Sequence, residues 1–398
     1  MSKKPYTQDQ KDHIAELYGK IGPDWIQIAN AFNKKYGDTR TAVGVQRAYE
    51  RYGSNLQIDN TEAAISHIKQ IRRTKKTNST IKKQNDFLID QFNYIDSVKK
   101  AADIISKTKY QKVRLDKADK IDPKKKNMCK EIVLSDLHYG KVTEHFNNEV
   151  AKKRMSYLAD VFIREVRDDQ KTFNVNKIIV AILGDVIESY TMHGLESARN
   201  CEFETPSQVA EATLSIFNDL LLPVAKLGIP VIVPCVPGNH DRTEVKQTLS
   251  RVGKNSMSYP IYVLLEALCK AHGLTNVTFE ITEQTYVILD VFGDKILYHH
   301  GDLAFKGKGH NKLKTFRRDV EDQVGFKIHG SRSGHTHEYV VYGRGEDIVN
   351  GCLVGQDEYA HSKGYSTEAS QTINDYIDTK KERTKFYKSF AVCLETIK

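Results

Sequence analysis

Three apolar, β-branched runs, Ile132–Leu134, Ile178–Leu183 and Val231–Val236, each end within a few residues on an oxygen-bearing side chain: Asp136, Asp185 and Asn239. Runs of this length and composition read as buried strands. Helix-like stretches separate them, Glu149 to Thr172 and Gln208 to Leu227, which is the rhythm of a sheet covered by helices. In an open α/β sheet, side chains placed just past the strands gather at one carboxyl edge. Later segments, Val277–Ile281, Tyr286–Val291, Lys295–His299, Glu338–Tyr342, Ile348–Val354 and Phe390–Glu395, read as further strands with few helices between them. A second sheet, mixed or antiparallel, is therefore expected to pack on the first.

The strand ends carry more than single carboxylates. Five short clusters occur in order: Asp136-Leu137-His138, Gly184-Asp185, Gly238-Asn239-His240-Asp241, His300-Gly301-Asp302 and Gly334-His335-Thr336-His337. Hard oxygen and borderline imidazole donors delivered from several strand ends suit two adjacent divalent cations, and such a pair activates water against a phosphate ester. His299 and His300 are neighbours, and strand alternation sends them in opposite directions, so only one can join the cluster. His193, Arg199, His310 and Arg332 lie near the motifs and read as solvated loop residues.

The ordered pattern D-x-H, G-D, G-N-H-D, H-G and G-H-x-H resembles the calcineurin-like metallophosphoesterase superfamily over about Glu131 to Val354. The resemblance implies that Asp136, His138 and His337 hold one ion, that Asn239, His300 and His335 hold the other, and that Asp185 bridges them around a shared hydroxide. His300 is chosen over His299 because Gly301 follows it, as in the family. His240 is implied to act at the leaving group without ligating, with Asp241 orienting its ring. Four imidazoles and no thiolate favour manganese, with iron or zinc as alternatives, over magnesium.

Charge is divided along the chain. Residues 1–130 hold 28 Lys and Arg against 15 Asp and Glu, and the remainder holds 32 against 36, so a front third of +13 precedes a body of −4. That asymmetry points to a polyanionic partner held by the front. Within residues 1–53 three helices are expected: Gln8 to Lys20 with Ile14, Leu17 and Tyr18 on one face, a second capped by Asp24, and a third near Thr41 to Tyr52. With the single Trp25 in their core they resemble a helix-turn-helix or Myb-like DNA-binding unit, which would present Arg40, Gln46, Arg47 and Arg51 to nucleic acid. Residues 54–130 read as a basic, largely helical linker, with Asp122-Pro123 at its boundary and residues 131–398 as the catalytic domain.

The expected architecture is thus α/β: a two-sheet sandwich flanked by helices, preceded by a small all-helical domain and the linker. The basic front favours a nucleic-acid phosphodiester as substrate, that is, a DNA nuclease. The segments Asn350–Gly355, Asp357–Ala360 and Ser370-Gln371 resemble the tail of nuclease-like members from phages and mobile elements. Two alternatives stand beside this: a phosphodiesterase or phosphatase of small or cyclic nucleotides, and a DNA-binding protein that keeps metals without turnover. The chain departs from the repair nucleases in having a basic domain before the body and no coiled-coil segment after it, which speaks against their ATPase partner. A homo-oligomer stays open. No run of about 18 apolar residues and no secretory leader is visible, and the six cysteines are scattered singly, so a cytoplasmic, membrane-free protein with reduced thiols is expected.

Overall fold

A computed structural model of the chain describes residues 5–52, 78, 81–82, 111–117, 120–189, 200–243, 251–304, 310–355, 368–379 and 385–397. Most of the linker's lysine clusters, its amphipathic stretch, His193, Arg199 and Asp357–Ala360 lie outside those residues. The chain divides into two compact units, a front helical one and the body.

In the front unit, α1 (Gln8–Ile21) begins in a capping box, Thr7 and Gln10 each satisfying the other's backbone N–H. Asp24 caps α2 (Trp25–Tyr36) by accepting from the N–H groups of Ile26 and Gln27. With α3 (Ala42–Tyr52) these helices enclose Ile14, Ile28, Phe32 and Val45, and Tyr18 stacks on both Trp25 and Tyr49, which also touch each other. This is the three-helix unit expected from the sequence.

The body is a four-layer sandwich. Its first sheet has the order β11-β10-β1-β2-β3-β4, from β1 (Asn127–Leu134), β2 (Asn174–Ile182), β3 (Val231–Cys235), β4 (Val277–Ile281), β10 (Ser370–Ile377) and β11 (Phe386–Cys393). Strands β1 to β4 are parallel, and β10 runs antiparallel to both β1 and β11. The second sheet, of order β5-β6-β7-β9-β8, is mixed: β5 (Tyr286–Val291), β6 (Asp294–His299), β7 (Gly330–Ser333), β8 (Val340–Tyr342) and β9 (Asp347–Val349), with β6, β7 and β9 parallel.

Side-chain alternation assigns each face its layer. On β1, Met128, Ile132 and Leu134 face the helices α4 (Asn148–Gln170), α5 (Thr205–Ser215) with its π-helical continuation Ile216–Leu221, α6 (Leu222–Ala225) and α7 (Ser258–Ala271), while Cys129 and Val133 meet Leu289, Val291, Ile296 and Tyr298 of the second sheet. The far side of the second sheet is covered by α8 (His310–Val324) through Leu297, Val320 and Ile328. Among the described residues no helix is long and apolar enough to cross a membrane.

Two expectations change. The segments read at Val277 and Phe390 extend the first sheet rather than the second. Strands β7 and β10 were not anticipated, because Gly330–Ser333 and Ser370–Ile377 are polar sequences. All eight residues of β10 are nonetheless buried, because its polar side chains find partners inside: Asn374 and Tyr376 donate to Glu131, which also pairs with Arg332 at 3.2 Å. Arg332 is therefore a buried cross-sheet tie, not a solvated loop residue. The stretch 111–117 is fastened to the body as well, its Val113 and Asp116 N–H groups donating to the carbonyls of His272 and Lys226.

Candidate metal centre

Because β1, β2, β3 run parallel, and β6 and β7 do so in the facing sheet, their carboxyl ends open onto one edge of the sandwich. The loops leaving them carry Asp136 and His138, Asp185, Asn239 to Asp241, His300, and His335 with His337. Five of these residues, Asp136, His138, Asp185, His335 and His337, have φ between 48° and 74°, a left-handed conformation that costs a non-glycine residue of order 1–3 kcal/mol and persists only where the surroundings impose it. Two motif glycines are required by close approach. A Cβ on Gly238 would stand 2.1 Å from the Asp185 carboxylate, and one on Gly334 would stand 2.3 Å from that of Asp136.

The side chains fall into two donor sets. In one, His337 Nε2 lies 3.3 Å from Asp136 Oδ1 and 3.4 Å from His138 Nε2. In the other, His300 Nε2 lies 3.1 Å from Asp185 Oδ2 and 3.0 Å from Asn239 Oδ1, with His335 alongside. Within each of the triads Asp136, His138, His337 and Asp185, His300, His335, the ligating atoms are all within 4.8 Å of one another. Lone pairs converge at both points, and the oxygen-and-imidazole sets fit borderline divalent cations. Asp185 sits in the second set, where its Oδ1 also accepts the N–H of His240 at 2.7 Å.

Polar contacts behind the rings fix their orientation. His300 Nδ1 is 2.8 Å from the Leu183 carbonyl, which can only accept, so Nε2 is left for the centre. His138 Nδ1 is 2.8 Å from Glu188 Oε2. His299 points away, packed against Phe316 at 4.9 Å between ring centres. Burial raises the carboxyls, but imidazole neighbours outweigh it: beside His337, Asp136 falls to about 2, and beside His300 and His240, Asp185 is held well below the ordinary range. Burial lowers His300, yet the Asp185 carboxylate lifts it to about 10.

Glu188 is the residue that motif reading missed. It is buried and brought down to about 2, against its own desolvation, by His138 and Lys141. Its backbone carbonyl receives His240 Nδ1 at 2.9 Å and its carboxylate lies 3.6 Å from that nitrogen. The expectation that Asp241 orients His240 is corrected accordingly. The Asp241 carboxylate accepts backbone N–H groups of Val186 and Gly238 at 3.1 and 2.8 Å, tying the β2 and β3 loops together, and burial with repulsion from Asp185 raises it to about 6. The signal for Glu188 was its place three residues after Asp185 at the end of an apolar run.

In the front unit, Arg47 and Arg51 are exposed on α3. Gln46 donates to Glu50 at 2.9 Å. Arg40 differs from expectation: its Nε bonds Asp38 at 2.8 Å and its guanidinium covers the Tyr6 ring, so it braces the α2–α3 turn.

No protein-family model matches the chain, and no curated protein does. Solved structures with which it shares some likeness include a conserved uncharacterized protein, predicted phosphoesterase, from Streptococcus pneumoniae (13% identity, 67% of this chain and 98% of that one, TM-score 0.28). Wild-type Vps29 complexed with zinc from Entamoeba histolytica follows at 11% identity, 67% and 99% coverage and a TM-score of 0.25. A hypothetical protein from Pyrococcus horikoshii reaches 0.31 at 10% identity over 66% and 88%.

Proposed function

We propose that the body is a two-metal phosphoesterase and that its substrate is a nucleic-acid phosphodiester, with the front helical unit docking on DNA. The observation that carries the catalytic reading is the pair of converging donor sets at one sandwich edge. Asp136, His138 and His337 would hold one divalent ion, and Asp185, Asn239, His300 and His335 the other, with manganese the best match to the donors. Bound there, the ions would polarise the phosphoryl group and lower the pKa of water.

The chain's own groups supply the rest. Glu188 holds His138 from behind through its carboxylate and His240 through its carbonyl. With Nδ1 turned to that carbonyl, His240 as an imidazolium would give a proton to the departing oxygen. Asp241 fixes the spacing of the Asp185 and Asn239 loops through backbone bonds. Leu183 O behind His300 and Glu188 behind His138 leave Nε2 of each ring for ligation.

DNA is favoured by the +13 front third and by Arg47 and Arg51, exposed a turn apart on α3. The test measures manganese-dependent hydrolysis of bis-p-nitrophenyl phosphate and of DNA by the full chain and by the Arg47→Glu/Arg51→Glu variant. Retained hydrolysis of the small ester with weakened DNA binding and cleavage supports the proposal. Equal DNA affinity in the variant removes the docking role, and no hydrolysis of either substrate removes the enzyme.

A further inference from the structure

Helix α8 carries its charge back to front. Residues 310–318 hold Lys312, Lys314, Arg317 and Arg318 and no carboxylate, whereas residues 319–324 hold Asp319, Glu321 and Asp322 and no base. Its first turn thus has no acid and its last turn no base, the reverse of what the helix macrodipole favours. Lys314 and Arg318 add like charges four residues apart, which destabilise a helix further. Bulk composition does not account for the cluster, because acids outnumber bases 36 to 32 in the body.

Some of these charges serve the fold. Arg317 donates to Asp347 at 2.8 Å, and Glu321 accepts the Ile328 N–H at 2.7 Å. His310, stacked on Tyr342 at 4.5 Å between ring centres, lies 3.0 Å from Asp347. Lys312, Lys314 and Arg318 are different: among the described residues no carboxylate pairs with any of them. Lys312 and Arg318 are exposed and Lys314 is half-buried. These cations raise the energy of their own helix and gain nothing from the fold in return, which is the signature of charges held for an external anion.

Packing places them beside the metal centre. Leu313, between the two lysines, sits in one apolar cluster with Val349 and with Ala304, four residues past the ligand His300. A turn further on, the Phe316 ring is 4.9 Å from that of His299, the residue before the ligand. The cationic half of α8 is therefore the half next to the loop that delivers His300. Resting on the nucleic-acid reading above, we propose that Lys312, Lys314 and Arg318 form a docking surface on the body itself for the sugar-phosphate backbone of the strand being cut. Phosphates there relieve the repulsion between Lys314 and Arg318 and supply the negative charge that the first turn lacks. Contacts of this kind position a strand without reading its bases.

The experiment titrates the full chain with a fluorescent single-stranded oligonucleotide in EDTA over a range of salt concentrations. Lys312→Gln/Lys314→Gln/Arg318→Gln should weaken binding and make the slope of log K against log salt shallower by ~2, from three single-strand contacts at ~0.7 each. Without DNA, at low salt, the same variant should denature at a higher temperature than the parent, because the unfavourable charges are gone. Lys312→Arg/Lys314→Arg, which keeps the charge, should bind as the parent does. Parental affinity and slope in the triple variant overturn the proposal and leave docking by the front unit standing. A lower denaturation temperature in that variant also overturns it, since the cations would then serve the fold. Phosphatidylglycerol vesicles that hold the parent but not the triple variant, with DNA affinity unaltered, overturn it in favour of a lipid surface. A parent that binds no oligonucleotide ends the nucleic-acid reading and this one with it.

Discussion

Replacing Gln371 by Leu separates the support of the metal centre from general stability. Gln371 is buried on β10, and its amide brackets Ser135, the residue before Asp136: Oε1 accepts the Ser135 N–H at 3.0 Å and Asn350 Nδ2 at 2.9 Å, and Nε2 donates to the Ser135 carbonyl at 3.1 Å. Leucine fills similar space but strands two buried donors. At roughly 1–3 kcal/mol for each buried group left unpaired, the fold should lose about 2–6 kcal/mol, read as a lower denaturation midpoint. The left-handed φ of 52° at Asp136 stores strain that this bracket sustains, so relaxation should also swing the carboxylate out of the first donor set. Outer partners of ligands typically contribute ~10–100-fold in metal affinity, and that loss is expected for manganese titrated by calorimetry under conditions where the variant is fully folded. Ile373→Ala on the same strand faces the helix-side core and should cost ~2–5 kcal/mol by cavity formation without weakening manganese. A Gln371→Leu protein that melts early yet binds manganese as tightly as the parent, or an Ile373→Ala protein equally impaired in binding, refutes the bracket as a support for the ligand.

Further outcomes follow from the same geometry. Glu188→Gln keeps the shape but removes the charge behind His138, and manganese affinity should fall ~10–100-fold together with kcat; calorimetry and ester hydrolysis read the two separately. His240→Ala should bind manganese normally and lose ~10²–10⁴-fold in turnover, whereas loss of metal in that variant would make His240 a ligand instead. Phe32→Ala, emptying a fully buried site in the front unit, should destabilise that unit by ~3–5 kcal/mol, seen as an early unfolding step by circular dichroism with ester hydrolysis by the body intact.

How much could be read beforehand follows from which interactions are local. The front helices were legible because their signals lie within a few residues: Asp24 caps α2 through the next two N–H groups, and Gly22 and Gly37 mark helix ends. Strands β1 to β3 and the donors behind them were legible because burial on both faces demands unbroken apolar runs and the turn after each is short. Strand β10 was hidden because its polarity is paired across the fold, Gln371 with Ser135 and Asn374 with Glu131. No local pattern announces a partner more than 200 positions away.

The same distinction governs the centre. Sequence order alone determined which donor types stand at the strand ends, because each motif is a short segment whose chemistry is written in adjacent residues. Tertiary structure decided their roles: that Asp241 serves backbone N–H groups, that Glu188 backs both His138 and His240, that Arg40 braces a turn, and that His299 turns away from His300. Those outcomes depend on which loops the two facing sheets bring within about 3 Å of each other, and that proximity is a property of sheet packing.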